Sequence, residues 1–272
     1  MMTPQTVLMC PPDHFEIAYV INPWMEGQFA NTDAALARRQ WDGLRAALER
    51  HAKVALEPPQ RALPDIVFTA NAGLVLGKKV IVSRFRSPER RGEEPHHRAF
   101  FADNGFEILD WPSDIPFEGA GDALFDRGQS LLWAGHGFRS AAAVPALLEK
   151  LLGRKTAALN LVDPRFYHLD TCLCPLDGGY LLYFPPAFEE RSRALIESLV
   201  APSKRIAVEE EDALKFCCNA VDLDGHVFVN GASDSLRSRL RGAGFTPVIT
   251  PLSEFMKAGG AAKCLTLKLV EE

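Results

Sequence analysis

Four stretches of the chain repeat one hydrophobic rhythm: an apolar run, a glycine-containing turn and a second apolar run. The first is Phe68 to Leu76, a turn at Gly77-Lys78-Lys79, then Val80 to Phe85. The second is Phe117 to Phe125, a turn around Gly128, then Ser130 to Ala134. His168 to Cys174 leads through Asp177-Gly178-Gly179 to Tyr180–Phe184, and Cys217 to Leu223 through Asp224-Gly225 to His226–Asn230. Each reads as a β-hairpin. The turn glycines Gly77, Gly128, Gly178 and Gly225 stand 51, 50 and 47 residues apart. That spacing predicts a repeated supersecondary unit.

Between the hairpins the period changes to that of amphipathic helices, each with an apolar run behind it. Glu93 to Asn104 precedes Phe106–Leu109, and Ala143 to Leu152 precedes Ala157–Leu161. Phe188 to Leu199 precedes Arg205–Val208, and Ser233 to Gly242 precedes Phe245–Ile249. The unit is therefore strand-strand-helix-strand. Near the start, Val7–Cys10 reads as a strand, Ala34 to Leu48 as a helix capped by Thr32 or Asp33, and Val54–Glu57 as a strand. An alternating strand from Cys264 to Val270 completes a fifth unit if it joins the N-terminal segments. Closure of this kind removes exposed sheet edges. The expected fold is α/β: one domain over residues 1–272 with fivefold pseudosymmetry, both termini in one blade.

Composition narrows the function classes. Hydrophobic residues make up 47% and charged residues 24%, an ordinary globular balance, and the formal charge of −5 argues against nucleic acid as a partner. No apolar run reaches the ~20 residues of a membrane helix. Met1 to Cys10 lacks the pattern of a signal peptide. The six cysteines, at 10, 172, 174, 217, 218 and 264, match neither a disulfide framework nor the spacing of a zinc site. Reduced thiols in a cytoplasmic protein, with no metal, are the expectation.

The repeat gives the polar residues a common place. Asn71, Glu118, His168 and Asp170 lie at or just before the first hairpin strand of their units, and Cys264 takes the same position in the fifth. In a ring of units those strand starts face one axis. Singly, each residue has a bland reading: Asn71 in a turn, Asp122 satisfying amides beside Gly121, His168 an interior histidine, Cys264 a small buried hydrophobe. Together, a thiol, an imidazole and two carboxylates form a nucleophile–base constellation. Arg90 and Arg139 follow the second strands of their hairpins and have the geometry to clamp a carboxylate, whereas Arg86 and Arg91 read as solvated loop charges. The substrate implied is small, anionic at one end and cationic at the other.

Phe68-Thr69-Ala70-Asn71, Phe117-Glu118-Gly119-Ala120-Gly121-Asp122, His168-Leu169-Asp170-Thr171 and Gly260-Ala261-Ala262-Lys263-Cys264 occur in that order across nearly the whole chain. This motif set resembles that of the guanidine-modifying superfamily, which includes arginine deiminases, dimethylargininases and amidinotransferases. The resemblance implies a fivefold α/β propeller, the pentein fold. Met9–His14, Tyr19–Met25 and Phe68–Gly73 look most like the arginine dihydrolases, whose bifunctional cyanobacterial relatives carry a further C-terminal domain not contained in these 272 residues.

Carried over, the resemblance implies Cys264 as nucleophile, His168 as general acid and base, and Glu118 and Asp170 holding a guanidinium. Asn22, Asn71, Arg90 and Arg139 would bind substrate, with Asp122 beside them and backbone contacts from Ala258 and Gly259. The implied substrate is L-arginine or a close derivative, with no cofactor required. A homo-oligomer is left open. Asn71 stands where deiminases carry Asp, so the expected reaction runs past citrulline to ornithine. A deiminase, a dimethylarginine hydrolase and a silent amino-acid-binding propeller are the alternatives.

Overall fold

The computed structural model describes residues 5–271, so part of the stretch read for a signal peptide lies outside the described residues. The chain opens with β1 (Thr6–Met9), α1 (Ala34–Leu48) and β2 (Lys53–Leu56). Next come β3 (Gly73–Leu76), β4 (Lys79–Val82), α2 (Glu94–Asp103) and β5 (Glu107–Ile108). The following unit is β6 (Ala123–Phe125), β7 (Leu132–His136), α3 (Val144–Leu152) and β8 (Thr156–Asn160). After it run β9 (Leu173–Leu176), β10 (Tyr180–Tyr183), α4 (Glu190–Leu199) and β11 (Arg205–Ala207). A short α5 (Glu210–Ala213) leads into β12 (Val221–Leu223), β13 (His226–Val229), α6 (Asp234–Gly242) and β14 (Thr246–Ile249). The chain closes with α7 (Ser253–Met256) and β15 (Leu267–Lys268).

The described residues form five three-stranded sheets of one design. In each, an antiparallel pair is extended by a parallel third strand that returns through a helix, as in β3-β4-β5. The sheet holding both ends has the order β15-β1-β2, with Val7 opposite Lys268 and Leu8 opposite Leu267. The molecule is thus a fivefold pseudosymmetric α/β propeller. Among the described residues no helix is long and apolar enough to cross a membrane.

Local chemistry accounts for the elements. On α1, Ala37, Trp41, Leu44 and Leu48 recur at three- and four-residue steps and are buried, while Asp33 accepts a hydrogen bond from Leu36 N at 2.9 Å. The β12–β13 turn holds Asp224 and Gly225 at φ of 56° and 71°, the left-handed pair that matches strand twist. The second hairpin differs from the expected tight turn at Gly128. Six residues separate β6 from β7, and Asp126 organises them by accepting from Gly128 N, Gln129 N and Trp133 Nε1.

Two expectations about the first hairpin strands need correction. They do not begin at Phe68, Phe117, His168 and Cys217 but four to six residues later, at Gly73, Ala123, Leu173 and Val221. Ahead of them the chain coils into short turns, such as Thr69–Ala72, where Asn71 N donates back to Phe68 O and Ala70 N to Cys264 O. Cys264 likewise opens no strand. Leu265 N donates to Ala261 O and Thr266 N to Lys263 O within a turn, while Cys264 O accepts from Ala70 N and Lys263 N donates to Asn219 O, so no strand ladder starts at the thiol.

The closing blade depends on Leu8, fully buried in the middle strand and packed in one cluster with Val75, Phe101 and Leu267. Leu8→Ala is expected to remove about 2–5 kcal/mol of stability. Urea unfolding should show this as a lower midpoint with an unchanged slope.

Candidate active site

The turns ahead of the strands carry the polar residues, at three different steps rather than one. Glu118 and His168 each stand five residues before their strand, Asp170 and Cys264 three, and Asn71 two. Each step therefore holds a matched set, and the last exposes a residue that sequence reading missed. Asn219 stands two residues before β12, as Asn71 does before β3. The signal was present in Ala70-Asn71-Ala72 against Cys218-Asn219-Ala220.

One narrow cavity is lined by Asn71, Arg90, Arg139, His168, Cys264 and Asn22, with Ile21, Asp65, Phe68, Tyr167 and Ala258–Gly260. Glu118, Asp122 and Asp170 lie behind that lining. Glu118 is wholly buried, and its Oε2 meets His168 Nε2 at 2.7 Å and Arg139 Nη1 at 3.2 Å. Its Oε1 accepts from Arg86 N at 3.1 Å. Burial alone would raise its pKa, but Arg139, His168 and Arg90 overrule that and hold it well below the usual carboxylate range. Arg86 is therefore more than a solvated charge: its amide holds Glu118, and its Nε donates to Arg139 O at 2.8 Å.

Cys264 has a different setting. Its sulfur lies 3.5 Å from Asp170 Oδ2, and Asn219 Nδ2 donates to it at 3.0 Å. Asn219 also accepts from Ala261 N and Cys264 N through Oδ1 and donates to Asp170 O, tying the thiol loop to the neighbouring blade. Burial, with Asp170 adding to it, pushes the thiol far above its ordinary pKa, against the pull of the Ala261 amide, Asn219 and Lys263. Burial raises Asp170 to about 6. The resting site therefore holds sulfur as a thiol.

Arg90 is committed to other groups. Its Nε and Nη2 grip Glu93 at 2.8 Å each, Nη2 reaches Asp65 O, and Nη1 donates to Asn71 Oδ1 at 2.9 Å. The expectation of a carboxylate clamp thus meets a guanidinium whose fork is already filled by Glu93. Arg139 donates to Glu118 and to Ile21 O, with its guanidinium 4.7 Å from the Tyr167 ring centre. Asp122 does not face the cavity. It accepts from Ser140 Oγ at 2.6 Å, Ser140 N and Leu169 N, so its geometry is that of the amide-satisfying reading rather than of a substrate contact.

The wall opposite is backbone. Asn22 donates to Ala258 O and accepts from Trp24 N, and Tyr167 donates to Gly259 O. Gly259 adopts φ +85°, and a Cβ there would stand 2.6 Å from the Tyr167 hydroxyl. Asp65, also missed in the sequence, lines the cavity with a buried Oδ1 that has no hydrogen-bond partner among the described residues. Burial raises its pKa to about 6. No group of His, Cys, Asp and Glu among the described residues is arranged to hold a metal ion.

Asn219→Asp would keep the acceptor for Ala261 N and Cys264 N while setting a negative oxygen beside the sulfur. Alkylation of Cys264 by iodoacetamide at pH 8, followed on its peptide by mass spectrometry, should slow by about tenfold. An unchanged rate would show that Asn219 does not govern the thiol.

Comparison with known proteins agrees with this architecture. The family described as N,N dimethylarginine dimethylhydrolase, eukaryotic, matches residues 21–271. The bifunctional arginine dihydrolase/ornithine cyclodeaminase AgrE of Nostoc sp. is 55% identical over 264 residues, which cover 97% of this chain and 38% of AgrE. The chain thus spans well under half the length of that relative. The N(G),N(G)-dimethylarginine dimethylaminohydrolase of Mycobacterium tuberculosis is 39% identical over 98% of this chain and 87% of its own length. The crystal structure of the N-terminal domain of ArgZ, C264S mutant, bound to substrate, an arginine dihydrolase from cyanobacteria, superposes with a TM-score of 0.97 at 52% identity and covers 98% of both chains. On this evidence the chain belongs to the dimethylarginine dimethylaminohydrolase family, in the branch that also holds the arginine dihydrolases.

Proposed function

We propose that the chain is one catalytic domain that hydrolyses the guanidinium group of free L-arginine twice, giving ornithine, carbon dioxide and two ammonia. The observation that carries this reading is a thiol, an imidazole and an amide, Cys264, His168 and Asn71, lining one cavity with Glu118 and Asp170 directly behind them. The likeness to the substrate-bound arginine dihydrolase domain supports it.

In this reading the guanidinium enters against Glu118 and Asp170, which hold it by charge-assisted bonds and aim its carbon at Cys264. The substrate's own positive charge offsets the two features that keep the thiol protonated, burial and Asp170. As sulfur attacks the guanidinium carbon the thiol proton passes to His168, which delivers it to the departing nitrogen; ammonia leaves and an S-linked amidino intermediate remains. His168 then activates water, which attacks that carbon. Collapse expels the thiolate and leaves citrulline. In this reading Asp65 accepts from the α-ammonium and Arg139 pairs with the α-carboxylate, both lining the cavity.

Asn71 governs whether the cycle repeats. The ureido group of citrulline is neutral and presents an acceptor oxygen. A carboxylate at position 71 would repel that oxygen, whereas the Asn71 amide has an N–H to donate. Citrulline then stays for a second attack by Cys264, which ends in ornithine, carbon dioxide and the second ammonia. A second reading, hydrolysis of N-methylated arginine, rests on the match to the dimethylarginine family.

Product counting decides among these. With arginine, about two ammonia and one ornithine should appear per substrate, and Cys264→Ser should abolish both. Citrulline accumulating without ornithine would make the enzyme a deiminase. Turnover of methylated arginine at higher kcat/KM than arginine would favour the second reading.

A further inference from the structure

Behind Asn71 runs a chain of buried charges to which neither the fold nor the proposed chemistry assigns a task. Arg90 Nη1 donates to Asn71 Oδ1, and the other edge of Arg90 is held bidentately by Glu93. His97 Nε2 lies 3.6 Å from Glu93 Oε2, while His97 Nδ1 sits 2.8 and 2.9 Å from the two oxygens of Glu57. Glu93 and His97 are completely buried, and Glu57, Arg90 and Asn71 nearly so. These charges link the end of β2 through α2 to the turn ahead of β3.

Two features set it apart from a simple stabilising cluster. Burying ionic groups costs desolvation free energy that apolar residues of similar size would not incur. The end of the chain, moreover, is an amide in the cavity wall whose orientation matters. Arg90 can only donate, so it forces Asn71 to present Oδ1 to it and to turn Nδ2 the other way, onto Glu118 O at 2.9 Å. The Nδ2 side lies against Gly121, where any Cβ would collide with it. A flipped amide would set N–H against N–H. Arg90 therefore decides which face of Asn71 a bound ureido group meets.

Arg90 in turn needs its counter-charges. Both ring nitrogens of His97 face carboxylates, an arrangement that suits the doubly protonated ring. Burial works against that form, but Glu57 and Glu93 outweigh it and raise the pKa to about 9, so the imidazolium persists at neutral pH. With it in place, Glu57, His97, Glu93 and Arg90 carry two charges of each sign. Phe85 closes the cluster, its ring 6.4 Å from that of His97 and 4.4 Å from the Arg90 guanidinium. Cys10, Asp65 and Tyr19 are further titratable groups that face it: burial pushes the Cys10 thiol far up, with Glu57 and Glu93 adding to that, and Asp65 and Tyr19 both feel Arg90 and Glu93.

We propose that Glu57, His97 and Glu93 are positioning residues that lock Arg90, and through it the Asn71 amide, in the orientation that retains the neutral citrulline intermediate. The inference rests on the functional reading above and deepens it. Loss of the lock leaves the cationic guanidinium bound by Glu118 and Asp170 but loosens the grip on the neutral ureido group. Arginine recognition and citrulline recognition are thereby separable.

Calorimetric titration of the Cys264→Ser protein with arginine and with citrulline tests this without turnover. Adding His97→Gln should weaken citrulline binding by about tenfold and arginine binding by less than about threefold. Where Asn71→Ala is already present, His97→Gln should have no further effect on citrulline, because the two act through one contact. Glu57→Gln keeps an acceptor beside Nδ1 without the charge, should act in the same direction, and carries the test if His97→Gln fails to fold. Equal loss for both ligands, no loss, or a citrulline loss that persists in the Asn71→Ala background overturns the proposal. A Cys264→Ser protein that binds neither amino acid overturns the functional reading itself.

Discussion

Everything at the centre of this propeller depends on keeping charges out of water only in the company of opposite charges. Glu118 has no exposed surface and stays ionised because Arg139 and His168 stand on it, with the Arg86 amide taking its other oxygen. Removing one cation would leave a carboxylate that burial pushes toward protonation. The same rule runs through Glu93, gripped by Arg90 and faced by His97. Five blades meet at the axis, and their turns are arranged so that these charges close on one another.

The exceptions to pairing are where chemistry becomes available. Among the described residues Asp170 forms no ion pair; its carboxylate meets the Cys264 thiol at 3.5 Å, and burial raises its pKa to about 6 against the pull of His168 and Lys263. Asp65 has an oxygen with no partner in the cavity wall. In the proposed reaction the missing cations belong to the substrate, its guanidinium at one end and its ammonium at the other.

Much of this was legible in the residues. The spacing of Gly77, Gly128, Gly178 and Gly225 showed a repeat, and the repeat led to five blades, because tight hairpin turns and helix periodicity are local properties. Glu118, His168, Asp170 and Cys264 could be drawn to one axis on that basis alone. Asn219 was passed over although it sits at the same step as Asn71, since a lone Asn beside Ala carries no chemical signal until its partner is visible. Asp65 was passed over because nothing local distinguishes a carboxylate with a free oxygen from one that is satisfied. Arg86 was set aside as loop charge because its role uses a backbone amide, which every residue has.

The sequence by itself determined the unit and its repetition, the class of fold and the set of reactive side chains, because each of these is written in neighbours along the chain. Tertiary structure decided which groups those side chains meet. It began the strands only after the polar residues, turned Asp122 away from the cavity toward Ser140 and Leu169, and filled the fork of Arg90 with Glu93. It also put Asn219, from another blade, on the sulfur of Cys264. Partnership across blades joins residues far apart in the chain, Arg86 and Glu118 at 32 positions and Asn219 and Cys264 at 45, and no local pattern encodes it. In a buried site, where a charge is set by its partner rather than by its own identity, that partnership is what makes a residue reactive or inert.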